Sequence, residues 1–108
     1  MASYDEKRTD RRKVFTTTIL YSMSLVENDR LHCLTNEALT TNISERGLGL
    51  YTGTQLKRGQ DIKVYSRTLS DRPIFALVKW CSKVSDNIFK VGVEFWNLPG
   101  NTIEKTVQ

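Results

Sequence analysis

Between Val14 and Leu25 the larger apolar side chains fall mostly on alternate positions. Phe15, Ile19, Tyr21, Met23 and Leu25 stand on one side, with Thr16, Thr18, Ser22 and Ser24 opposite. A period of two is the pleat of a half-buried β-strand, and a helix cannot gather such residues onto one face. The END stretch at 27–29 reads as a turn, and LHCLT restarts extended structure. Leu39, Thr41 and Ile43 then alternate with Thr40, Asn42 and Ser44. ERG interrupts the run and LGLYT resumes it.

LKRGQ forms a further turn, after which Ile62, Val64 and Ser66 alternate with Lys63, Tyr65 and Arg67. SDRP at 70–73 turns the chain again. PIFALVKWC is apolar on both faces and reads as a central strand. VSDN leads to a last run, where Phe89, Val91, Val93 and Phe95 alternate with Lys90, Gly92 and Glu94. About six strands on short turns, with no amphipathic helix between them, make an all-β chain. Closure removes adhesive strand edges, so the expected architecture is a six-stranded antiparallel β-barrel.

A chain of 108 residues is one domain, able to bury about two-thirds of its unfolded surface without metal or disulfide staples. The expected layout is a flexible basic arm at 1–13, a barrel over 14–98, and a short tail or helical turn at 99–108. No apolar run is long enough to span a bilayer, and the polar opening residues do not read as a secretory signal. The expected location is the cytoplasm.

Cys33 and Cys81 lack CxxC partners and read as small core hydrophobes in a reducing compartment. His32 is the one histidine. Without a second histidine or paired thiols a zinc site cannot be assembled, and a nucleophile–histidine–acid triad has little to recommend it. Ser44 does not lie in a GxSxG elbow. No catalytic residue, metal or cofactor is expected.

The net charge of +4 is unevenly spread, and half of it falls within residues 1–13. Arg8 and Arg12, four apart, put two guanidiniums on one side of a helical turn or an extended arm. Such a pair can grip phosphate bidentately or reach the O6/N7 edge of a guanine. With Ile43 directed into the core, Asn42 and Ser44 should project outward together. There they could hydrogen-bond a polar ligand, or cap their own backbone in a plain hairpin. Gly47 permits a sharp turn or a close approach by a ligand. A ligand combining guanine and phosphate would use all of these groups.

The residues 8–12, RTDRR, fit RxxxR, and 42–47, NISERG, fit [D/N]xSxxG, in that order and about thirty residues apart. Together with LKRGQDIKV, ALVKWC and VGVEF, they make the chain resemble the PilZ domain family from Glu6 to about Phe95. That family is a six-stranded barrel that binds cyclic di-GMP. The resemblance implies that Arg8 and Arg12 clamp phosphate and the guanine Hoogsteen edge. It implies that Asn42 and Ser44 contact base and phosphate, and that Gly47 is the turn glycine. Lys7, just before the first motif arginine, fits the binding of two nucleotides per chain. Trp80 could stack on a base or lie in the core. Arg11 and Arg46 read as solvated charges adding general attraction.

These features describe a sensor, not an enzyme. Ligand would order the arm against the barrel and change the surface offered to a protein acting in trans, whose identity the residues do not encode. The alternative is a PilZ-like protein-interaction module without nucleotide, as in type IV pilus assembly, although such modules typically lack the motif arginines. A nucleic-acid barrel is disfavoured, because Phe15, Phe89 and Phe95 follow the core period and do not spread over an open face.

Overall fold

The structure is a computed structural model describing residues 12–96. The arm before Arg12, with Lys7, Arg8 and Arg11, and the tail beyond Trp96 lie outside the described residues.

Seven strands follow one another: β1 (Lys13–Val14), β2 (Thr18–Glu27), β3 (Arg30–Ile43), β4 (Gly47–Thr52), β5 (Asp61–Tyr65), β6 (Ile74–Ser85) and β7 (Ile88–Phe95). They pair in the order β1-β3-β2-β5-β6-β7-β4, and β3 pairs again with β4 to close the circle. Every pairing is antiparallel. Strands β2 to β7 are thus the expected six-stranded barrel, and β1 is a two-residue addition on β3. The described residues contain no helix.

The turns follow their residue types. Asn28 and Asp29 connect β2 to β3 at φ of 50° and 62°. Positive φ at both central positions is the two-residue turn that matches the strand twist, and Asn and Asp tolerate it better than most side chains. Gly59, in LKRGQ, has φ 88°, which only glycine adopts without strain.

The inward set from β2, Ile19, Tyr21 and Met23, is buried against Ile62, Val64, Ile74, Ala76, Val78, Val91 and Val93. The Tyr21 hydroxyl meets that of Thr52 at 2.6 Å, which satisfies a phenol inside the barrel.

Three expectations need correction. The first concerns β3, where Thr40 pairs with Leu50 but Asn42 pairs with Gly49, so Thr41 is an extra residue. This bulge shifts the alternation by one. Upstream of it Thr40 is 0% exposed and Leu39 45% exposed, the reverse of the simple pattern; downstream Ile43 points inward as expected. The second is Cys33, which is an exposed free thiol on the β2–β3 ribbon and not a core residue; Cys81 is partly buried against the core. The third is β6, which is not apolar-buried on both faces, since Phe75 and Trp80 are exposed on its outer side.

Candidate functional site

The segment leading into β2 runs beside the 42–47 turn because Thr40 anchors Phe15 and Thr17 there. The Thr40 hydroxyl donates to the Phe15 carbonyl and accepts from the Thr17 N–H at 2.8 Å. Backbone bonds from Phe15 N–H to the Thr41 carbonyl (3.1 Å) and from Thr40 N–H to the Thr17 carbonyl (2.9 Å) extend the attachment. β1 then lies alongside the end of β3, with Val14 opposite Asn42. Arg12 follows directly, and its Nη1 donates to Asn42 Oδ1 at 3.3 Å.

Asn42 is on the outer wall, as its position before Ile43 requires. Ser44 is not. It is 4% exposed, and its Oγ accepts the N–H groups of Arg46 and Gly47, each at 3.3 Å. The Ser44 N–H in turn donates to the Gly47 carbonyl at 2.9 Å. Of the two roles open to this serine, capping its own turn is the one it performs. Gly47 is required by its neighbour strand: a Cβ there would lie 2.1 Å from the Val93 carbonyl oxygen.

Trp80 is on the wall as well. Val78 pairs with Val93, but Trp80 pairs with Gly92, leaving Lys79 as the extra residue of a second bulge. Backbone bonds from Gly59 N–H to the Val78 carbonyl (2.8 Å) and from Val78 N–H to the Gln60 carbonyl (2.9 Å) tie the LKRGQ turn to the bulge. Without the extra residue, Trp80 would follow Ile74, Ala76 and Val78 into the core. With it, the indole is 42% exposed on the outside.

The two bulges align. Asn42 pairs with Gly49, Gly49 with Gly92, and Gly92 with Trp80, so one row crosses β3, β4, β7 and β6 on the outer wall. Beside this row is a cleft of about 270 Å³ lined by Arg12, Ser44, Arg46, Gly47, Leu48, Lys79, Trp80, Gly92, Val93 and Glu94. Three cations against one carboxylate favour an anion, and an aromatic surface beside them suits a base. Arg46, read from sequence as a solvated charge, and Lys79, which sequence analysis passed over, both line this cleft. The signal that could have flagged the row is glycine inside alternating strands, in LGL and VGV, which marks bulges and close approach.

A larger cleft of about 770 Å³ lies elsewhere, lined by residues including Ser22, Cys33, Lys63, Phe75 and Trp96. It carries neither motif, and its lining holds one lysine and one aspartate, so it has no bias towards an anion. Among the described residues no three His, Cys, Asp or Glu side chains are grouped to hold a metal ion. Among the described residues there is no helix long and apolar enough to cross a membrane.

The structure is a small closed β-barrel with a basic cleft where the chain at Arg12 meets the β3–β4 turn. Residues 6–108 match the model of the PilZ domain. The chain belongs to the PilZ domain family. Among solved structures it is similar to the Bacillus subtilis inhibitor of motility, MotI/DgrA, at TM-score 0.65 and 15% identity over 94% of this chain and 48% of that one. It is also similar to MrkH of K. pneumonia, solved as a complex with c-di-GMP, at TM-score 0.58 and 13% identity over 93% of this chain and 49% of that one. The chain thus spans about half the length of each of these structures. No curated protein sequence matches it.

Proposed function

We propose that this chain is a cyclic di-GMP receptor whose ligand lies between the N-terminal arm and the β3–β4 wall. The observation that carries the reading is the 3.3 Å hydrogen bond from Arg12 to Asn42. It joins the last arginine of RxxxR to the first residue of [D/N]xSxxG across thirty positions. Membership of the PilZ family and the likeness to MrkH, solved with c-di-GMP, support the choice of ligand.

In this reading Arg12 and Arg8 supply the bidentate guanidiniums for phosphate and the guanine O6/N7 edge. Asn42 turns its amide to a base, and Trp80 offers an indole for stacking. Ser44 acts through the turn it holds, and Gly47 lets that turn close against β7. Arg11, Arg46 and Lys79 add general attraction for the phosphates. Lys7 screens the further charge of a second nucleotide, so two molecules bind per chain. The arm, residues 1–13, is polar and offers little to bury alone, so ligand orders it and alters the surface that a downstream protein reads. No bond is made or broken in the ligand; the chain acts as a receptor.

Calorimetry with cyclic di-GMP on the intact chain tests this directly. Saturable binding at two nucleotides per chain is the expected result. No heat at saturating nucleotide would leave the chain as an interaction module without this ligand.

A further inference from the structure

Two glycines form the middle of the cross-strand row that carries Asn42 and Trp80. Gly49 and Gly92 pair directly across β4 and β7. A Cβ on Gly92 would meet Trp80 Nε1 at 2.3 Å, Cε2 at 2.4 Å and Cζ2 at 2.8 Å, so its three nearest atoms all belong to one indole. A Cβ on Gly49 would meet Thr41 Oγ1 at 2.8 Å and Asn42 Oδ1 at 3.0 Å. In both cases the obstacle is side chain and not backbone. Gly47 differs, because its missing Cβ is excluded by the Val93 main chain.

Glycine weakens a strand interior, since it forfeits packing and costs more conformational entropy than alanine. Neither Gly49 nor Gly92 has the positive φ that would otherwise require glycine. At position 92 what demands glycine is therefore the space that the rigid Trp80 indole occupies, whereas the atoms beside Gly49 are ends of flexible side chains. The bulge after Val78 turns Trp80 outward, but only a bare Gly92 lets the indole settle against the wall, covered on the Gly92 side and open to the cleft.

We propose that Gly92 is a positioning residue for the nucleotide site: it is the seat that holds Trp80 as a base-stacking platform. The inference rests on the cyclic di-GMP reading for its ligand, but the seat can be tested without any ligand.

The test uses Trp96→Phe, which leaves Trp80 as the sole tryptophan and changes a residue outside this cleft. In that background Gly92→Ala should shift the ligand-free Trp80 emission to the red and raise its quenching by acrylamide, with the β-sheet circular dichroism retained. Affinity for cyclic di-GMP should fall about 5- to 150-fold, the range for loss of one base–aromatic stack. Once Trp80→Ala has removed the indole, Gly92→Ala should cost no further affinity and should raise the melting temperature, because alanine suits a strand better than glycine.

Unchanged Trp80 emission in Gly92→Ala overturns the seat, whatever the nucleotide does. An affinity loss that persists in full in the Trp80→Ala background also overturns it, since the glycine would then act through the barrel. A parent chain that binds no nucleotide, with the emission shift still present, defeats the ligand reading and leaves the seat intact.

Discussion

Arg12 and Asn42 meet at 3.3 Å, side chain to side chain, where the root of the arm runs beside the end of β3. Neither is in the core. Their meeting is fixed by Thr40, whose buried hydroxyl is bonded to the Phe15 carbonyl and the Thr17 N–H. A core threonine thus sets the position of a surface arginine.

Arg12→Ala should weaken cyclic di-GMP binding by about 1.5–3 kcal/mol, the worth of a hydrogen bond to a charged group. Arg12→Lys should recover only part of this, since an ammonium keeps the charge but loses the planar fork. Calorimetry on the three chains checks it, and full recovery by lysine would reduce the arginine to a point charge.

Thr40→Val should act at a distance. It removes a buried donor and acceptor from the arm's anchor, leaving the Thr17 N–H without its hydroxyl partner, at a cost of about 1–3 kcal/mol in folding stability. Nucleotide affinity should fall too, although Thr40 lies outside the cleft. Denaturant unfolding and calorimetry on the same variant separate the two effects.

Thr41→Val should do the opposite to stability. The Thr41 Oγ1 is buried in the β3 bulge and has no hydrogen-bond partner among the described residues. Replacing an unsatisfied hydroxyl by a methyl of similar shape should stabilise by about 1 kcal/mol. A thermal melt reads this as a rise of about 4–8 °C for a domain of this size. A fall would mean that the hydroxyl does find a partner in solution.

The turn residues 44 and 47 should separate cleanly. Ser44→Ala forfeits two long bonds to the turn and should cost about 0.5–1.5 kcal/mol. Gly47→Ala must force β4 away from the Val93 carbonyl, 2.1 Å from the added carbon. It should cost more, about 2–3 kcal/mol, the upper part of the ordinary single-substitution range. Urea midpoints at unchanged slope give both values, and equal midpoints would refute the ordering.

Asp29→Gly should stabilise the β2–β3 turn. Asp29 has φ 62°, a conformation that costs an ordinary side chain about 1–2 kcal/mol and glycine nothing, with aspartate between them. A gain of about 0.5 kcal/mol is expected in the melting curve, with nucleotide binding unaltered.

The alternation of apolar residues determined most of the architecture. Strands read from Ile19, Tyr21 and Met23, or from Phe89, Val91 and Val93, have the expected inward faces, because in those stretches the strand period runs unbroken from side chain to core, whereas the run expected to begin at Val14 is interrupted at residues 15–17. Closure into a barrel followed from the number of strands and the brevity of their turns. The two motifs also marked Arg12 and Asn42, which the fold brings together. What sequence could not supply was the parity beyond a bulge. One extra residue at Thr41 reversed the faces of Leu39 and Thr40, and one at Lys79 moved Trp80 from the core line to the outer wall. A bulge is defined by the strand opposite, and here by the Gly59–Gln60 backbone bonded to Val78, so the alternation of the bulged strand itself does not announce it. For the same reason the pairing of Gly49 with Gly92 belongs to the tertiary structure alone: they lie far apart in the chain, and only the β4–β7 register sets them side by side.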